Sequence, residues 1–233
     1  MLDFITNDFQ SHHEDEALQS ALGGANSGVM SGIVAGTKVA TIHGWQRVED
    51  IKVGDAVLTF DNGLRPVRAI RRQPLWNGIG KCPGQFRPLH VPAGVLGNRE
   101  AMIVLPHQGL VVESDAAEAA LGDPFAMVRA EELEGVCGIE RVSHLASVEV
   151  FVIQFDENEI VFTAHGALCV CAAAGDLISQ LFETNGGQDY RLLSSDFDAG
   201  VIADIRCEII EAWLDGEDRC EDAEIVYDMP RVA

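Results

Sequence analysis

By residue type and spacing, His165, Cys169 and Cys171 hold the plainest chemical potential in the chain. An imidazole and two thiols are the soft donors that zinc takes, and His-x-x-x-Cys-x-Cys spacing could gather three of them. On a strand over Ala167–Val170, however, Cys169 and Cys171 share one face, which is also the period of a packed core. No Cys-x-x-Cys pair completes a four-ligand set, so packed thiols are the expected outcome. Gly78-x-Gly80-Lys81 lacks the earlier glycine of a phosphate loop, and Cys82 stands where a Ser or Thr would reach the metal. Asp196-x-Asp198-x-Gly200 and Gly186-Gly187-x-Asp189 are fragments of calcium loops without the remaining ligands and read as surface turns. Arg65, Arg68, Arg71 and Arg72 form a basic cluster in an acidic chain, the composition of an intramolecular ion-pair face or of an anchor for the acidic stretch Glu217–Glu224. No cofactor is implied by any of these groups.

The elements that must carry such groups are mainly β. Lys38–Ile42 alternates as a half-buried strand does, and His43-Gly44 follows as a turn. Asp61-Asn62-Gly63 between two β-rich runs is a hairpin signal. Leu64–Trp76 reads as one strand bearing the arginines, with Pro66 and Pro74 pushing it to a sheet edge. Ala101–Leu105 and Gly109–Val112 form a buried pair bent at Pro106. Ser114 caps a short helix through Leu121, and Asp123-Pro124 opens another by the cap-then-proline rule. Gly135 stops the turn Ala130–Glu134. Val148–Phe155 and Glu159–Phe162 flank Asp156-Glu157-Asn158 as a hairpin. Val201, Ile202, Ile205, Ile209, Ile210, Trp213 and Leu214 recur at helical spacing, which predicts an amphipathic helix over Asp198–Leu214.

Several segments, taken in order, are similar to a known pattern. Gly36-Thr37 is followed by a strand, by His43-Gly44, and by Val48-Glu49-Asp50-Ile51-Lys52-Val53-Gly54-Asp55-Ala56-Val57-Leu58-Thr59. That run resembles the V-E-x-L-x-x-G-D-x-V-L-T signature of Hint (Hedgehog/intein) domains of the bacterial type, and Pro66–Arg72 continues it. Val104-Leu105-Pro106-His107-Gln108 resembles the family segment that carries a Ser/Thr and a His, and Phe155–Phe162 its late block. The resemblance, spanning about Gly32 to His165, implies a compact all-β fold with short helical insertions, here followed by the C-terminal amphipathic helix.

It also implies self-cleaving chemistry. A Cys or Ser at the first position attacks the preceding carbonyl, a His protonates the departing amine, and polar donors polarise the scissile bond. In this chain the nucleophile's position is Gly32. The Ser/Thr position is Leu105, and the first His position is Gln108. The two late His positions hold Val152 and Asn158. His107 is one residue off, which on a strand turns it to the opposite face. The reading is therefore a non-catalytic Hint-like binding or structural module. The alternative is self-cleavage by an N–O acyl shift at Met30–Ser31, with Ser31 as nucleophile and His107 turned inward.

Bulk properties narrow the partners. The 233 residues carry 16 Lys+Arg against 37 Asp+Glu, a net charge of −21, which repels phosphate backbones and anionic lipid. Nucleic acid and membrane are thus excluded as expected partners. What remains is a protein partner that the sequence does not name, with a homodimer through the C-terminal helix left open. Residues 1–30 read as a flexible arm, 31–172 as the β domain, and 173–233 as an extension with the helix and an acidic tail. The N-terminus lacks the basic and apolar regions of a signal peptide, and six cysteines sit at no framework spacing. Both point to the cytoplasm, with signal-less secretion the alternative.

Overall fold

A computed structural model describes residues 28–78, 81–142, 148–173 and 192–217. Among these residues the chain is mainly β, and its strands form two antiparallel sheets. The first contains β1 (Ile33–Val34), β6 (Ala69–Pro74), β7 (Leu89–Val91), β8 (Met102–Val104), β11 (Glu140–Arg141) and β12 (Glu149–Gln154), in the order β11-β7-β8-β1-β12-β6. The second contains β2 (Lys38–Thr41), β3 (Gly44–Arg47), β4 (Ala56–Thr59), β5 (Gly63–Pro66), β9 (Gly109–Glu113), β10 (Phe125–Arg129), β13 (Glu159–Thr163) and β14 (Ala167–Cys171). Its order is β10-β9-β14-β13-β2-β4-β5, with β3 on the side of β2.

Local chemistry explains the tight turns. Thr41 Oγ1 donates to Gly44 O at 2.8 Å and closes the His43-Gly44 turn. Thr59 Oγ1 does the same to Gly63 O at 2.9 Å, and Gly63, at φ +66, supplies the left-handed residue of the Asn-Gly hairpin. The helix α1 (Asp115–Leu121) begins as expected, with Ser114 Oγ accepting from Ala117 N. It stops at Gly122, whose φ is +82.

Three expectations need correction, and two share a cause. Leu64–Trp76 is not one strand: β5 ends at Pro66, buried Val67 turns the chain, and β6 continues in the other sheet. Each piece ends its sheet order, so the prolines do mark edges. Likewise β12 and β13 are not a hairpin, because Phe155, 1 % exposed, carries the chain inward and across to the second sheet. Strand periodicity reports which face is buried but not which sheet a strand joins. Thirdly, Asp123-Pro124 opens no helix. Asp123 Oδ1 accepts from Phe125 N at 2.9 Å, and the residues after it pair with β9 from Phe125↔Glu113 to Arg129↔Gly109. Sheet pairing overrides the local signal.

The helix α2 (Ser195–Glu217) spans the expected segment and starts three residues earlier, with a bend at Asp198. It docks through buried Ile202 and Ile205. Arg206 donates to the carbonyls of Glu132 and Glu134, and Glu208 accepts from Ser114 Oγ and Ala116 N. No helix among the described residues is long and apolar enough to cross a membrane. The arm before residue 28 and the acidic stretch after Glu217 lie outside the described residues.

Three of the four clustered arginines, Arg65, Arg68 and Arg72, form intramolecular ion pairs. Arg68 grips Asp156 with two bonds of 2.7 and 2.6 Å and holds its carboxyl below the usual carboxylate range. Arg72 grips Glu149 in the same forked way. Both pairs are exposed. Arg65 differs, since its Nε donates at 2.9 Å to Glu159, whose side chain is 1 % exposed and also accepts from Asn62 Nδ2. Removing one partner strands a buried charge. Arg65→Ala is expected to lose about 2 kcal/mol in urea unfolding, less than the ~3–5 kcal/mol of a fully buried pair because water reaches the arginine. Arg68→Ala is expected to leave the urea midpoint in place, and equal losses from both would refute the distinction.

Candidate functional site

The junction that matters is the stretch from Gly28 to Val34, which runs unbroken into the first sheet. Gly28 bridges to Trp76, Val29 N donates to Leu75 O at 2.9 Å, and β1 lies between β8 and β12. The crossing from β8 to β9 passes beside it at Leu105-Pro106-His107-Gln108. There the backbone N–H of His107 donates to Met30 O at 2.8 Å.

Gln108 is the hub. Its side chain, in a residue only 2 % exposed, makes four hydrogen bonds. Oε1 accepts from Gly32 N at 2.9 Å and from Ser31 Oγ at 3.3 Å. Nε2 donates to Gly109 O at 3.0 Å and Val170 O at 2.8 Å. Two carbonyls claim the amide's donors, so its orientation is set and the oxygen must face the junction. An amide in this place can accept the N–H of residue 32 but carries no titratable proton to hand to a departing amine.

Gly32 sits at φ +131, a conformation that L side chains rarely adopt. A Cβ built there would meet Val150 Cγ1 at 2.7 Å, Phe151 O at 3.2 Å and Val152 Cγ2 at 3.2 Å. The room that a nucleophilic side chain would need is filled by two valines. Leu105, fully buried, packs in a small apolar cluster with Val34, Leu75 and Val150. Gly32, Leu105, Gln108 and Val152 thus gather around one junction. Asn158 is placed differently, exposed in the crossing from β12 to β13, where its Oδ1 accepts from Ala173 N at 3.0 Å.

Ser31 and His107 do not form a pair. The imidazole Nε2 of His107 lies 3.2 Å from Glu131 Oε1. Burial pushes the ring toward its neutral form, with Arg129 and Arg141 adding to the effect and Glu131 opposing it. His107 lies in the turn between β8 and β9 rather than on a strand; Gln108 is buried there, and the His107 ring is at the rim beside Glu131.

His165 stands apart from Cys169 and Cys171. Among the described residues no three His, Cys, Asp or Glu side chains could hold a metal ion. Cys169 and Cys171 point into the core from β14, as their spacing allowed. His165 instead sits in the turn before β14 with φ +61, stacked on Trp45 at 4.3 Å and within 3.3 Å of Glu100.

Burial pushes the Cys169 thiol up to about 11, against a hydrogen bond with Thr163 that lowers it, and pushes Cys171 higher still. A raised value means that the folded state prefers the neutral thiol. That preference costs nothing while both states keep their protons, below about 9. As pH climbs from there toward 11 the unfolded chain releases protons first and stability falls. Maleimide at pH 8 is therefore expected to label exposed Cys207 on the native protein and to spare Cys169 and Cys171 until urea is added. Peptide mapping reads this directly, and native labelling of Cys169 would contradict it.

The family resemblance had pointed to Gly32, Leu105, Gln108 and Val152, but not to Val150 or to the Met30 carbonyl. Neither carries a signal of its own, because each matters only through a neighbour distant in the sequence.

A Hint domain family model matches residues 32–175. Three solved structures are similar. A bacterial intein-like domain from Clostridium thermocellum is 18% identical over 60% of this chain and 99% of that one, with a TM-score of 0.41. A splice-inactive variant of the AceL NrdHF class 3 split intein is 17% identical over 62% and 99%, at 0.39. The MchDnaB-1 intein is 17% identical over 58% and 98%, at 0.36. No curated protein matches the chain.

Proposed function

The chain belongs to the Hint domain family, and on that premise we propose that it is a non-catalytic member, serving as a binding or structural module rather than cutting itself. The observation that carries this reading is the filled space at Gly32, where Val150 and Val152 occupy what would be the nucleophile's volume. Gln108 supports it from the other side of the peptide, as an acceptor where a proton donor is needed. In this reading the module spans residues 31–172, with 1–30 an arm and 173–233 an extension. Among the described residues, the free thiols at Cys82, Cys169, Cys171 and Cys207 support a reducing, cytoplasmic setting.

One contact favours the second reading, an acyl shift at Met30–Ser31. There the Ser31 Oγ would bond to the Met30 carbonyl carbon, and the Ser31 nitrogen would leave with a proton. The carbonyl oxygen of Met30 already takes the His107 backbone N–H, which polarises it. Against it, Ser31 Oγ faces an amide oxygen, which is no base, and the nearby imidazole is turned to Glu131.

Intact mass decides between them. The acyl shift alone conserves mass, but its ester would then be cut by water or added thiol. That cut releases residues 1–30, with Ser31 Oγ as leaving group. After prolonged incubation with and without thiol, the full chain is instead expected to keep its mass. Loss of the first 30 residues, abolished by Ser31→Ala, would establish the second reading instead.

A further inference from the structure

Four residues where the chain enters the first sheet are packed without spare room. Gly28 lies against Phe86, and a Cβ added to it would fall 2.5 Å from Cδ1 and 2.8 Å from Cβ of that side chain. Gly78 lies against Trp76 in the same way, with an added Cβ 2.5 Å from Cε2 and 2.8 Å from Cη2. The two rings contact one another, with centroids 5.5 Å apart and planes at 31°. No left-handed φ is involved at Gly28, so space alone demands a glycine there. Phe86 Cβ sits one bond from the backbone and cannot swing aside as a ring tip can. Among the described residues the buried Trp76 Nε1 has no hydrogen-bond partner, so packing of its faces is what keeps the indole in place.

These rings stand at the head of a continuous grip. After Gly28, Val29 donates its N–H to Leu75 O and packs its side chain on the apolar cluster of Val34, Leu75, Leu105 and Val150. Met30 O then takes the His107 N–H, and Gly32 N reaches Gln108. Ring packing, apolar burial and main-chain hydrogen bonds thus hold successive residues, the same means by which sheet edges hold extended peptides. Phe86 is itself braced. It ends the turn Gly84–Phe86, and the carbonyls of Gly84, Gln85 and Arg87 accept from Arg141 Nη1 at 3.1, 3.4 and 3.3 Å. Arg141 is anchored in turn by Glu134 at 2.8 Å.

We propose that the peptide this module binds is its own lead-in segment, Gly28–Gly32, and that Trp76 and Phe86 clamp the head of that segment by admitting only glycine. The consequence is protection. A protease needs several residues free of their neighbours, and here the Met30–Ser31 bond lies inside a stretch held on both sides. The inference rests on the reading of the protein as a binding or structural module and adds what is bound. It can fail separately, because self-cleavage would release residues 1–30 with no protease present.

Thermolysin, which cuts before apolar residues, tests the grip on the full chain at the Gly28–Val29 and Val29–Met30 bonds. Each native cutting rate is divided by the rate at the same bond in urea, which removes effects of local sequence. A sample without protease reports any self-cleavage. The parent is expected to be protected at both bonds by at least about a hundredfold. Gly28→Ala should raise both rates at least about tenfold while the urea midpoint stays in place. Phe86→Ala should do the same, and in that background Gly28→Ala should add less than about twofold, because the crowding has gone. Four results would each overturn the proposal: a parent cut there as fast as in urea, a Gly28→Ala chain as protected as the parent, a rise matched by lost global stability, or full additivity in the double variant.

Discussion

Restoring the missing thiol with Gly32→Cys is expected to yield a chain that keeps its mass and is about 3 kcal/mol less stable than the parent. The loss has two sources that the geometry separates. A side chain at φ +131 costs of order 1–3 kcal/mol in backbone strain. Forcing atoms against Val150 Cγ1 at 2.7 Å adds an overpacking cost of similar order. Because the two share one local rearrangement, they add incompletely. Val150→Ala, which by itself opens a cavity, should relieve part of the clash. The double variant is then more stable than the sum of its parts by about 1 kcal/mol in a urea cycle. Chemistry stays absent because a thiol alone does not complete the reaction: Gln108 still faces the Gly32 nitrogen with an oxygen. A Gly32→Cys chain of parental stability would remove the filled-site argument, and one that cleaves before residue 32 would remove inertness as well.

Gln108→Leu is expected to lose about 3 kcal/mol and to loosen the junction without unlocking any reaction. Leucine matches the volume but leaves the N–H of Gly32 and the carbonyl of Val170 without these partners. Stranded buried groups cost ~1–3 kcal/mol each, partly recovered where water enters. The loss is local before it is global. Hydrogen exchange at Gly32 should accelerate beyond what the drop in global stability accounts for, since Gln108 ties the start of β1, 76 residues before it, to β14, 62 residues after it. Gln108→His tests the chemical side: it returns the family's residue type, yet no cleavage is expected with Gly32 in place. A Gln108→Leu protein as stable as the parent would mean that the four bonds contribute nothing net.

Element by element, much of the β content could be read locally. Alternation marked Lys38–Ile42, and Asn62-Gly63 marked the hairpin that β4 and β5 form. Ser114 marked the start of α1 and Leu121 its end because a cap is satisfied within four residues. The failures are of one kind. The arginine run crosses between sheets at Val67, β12 and β13 part at Phe155, and the residues after Pro124 become a strand. In each case the deciding partner lies in another segment of the chain. The site divides in the same way. Gly32, Leu105, Gln108 and Val152 were identifiable from their places in the motif, whereas Asn158 lies elsewhere and Val150 was not foreseen.

The amino-acid order by itself determined which functional groups stand at the junction. A glycine has no nucleophile and a glutamine no titratable proton, whatever the fold around them. Only the tertiary structure decided what surrounds them. Val150 meets the empty Cβ position, and the Gln108 amide turns its oxygen to Gly32 because carbonyls of Gly109 and Val170 hold its nitrogen. The reason is one of range. Functional groups belong to single residues and can be read one at a time, but occupied volume and amide orientation are set by atoms that strand pairing brings together from distant parts of the chain.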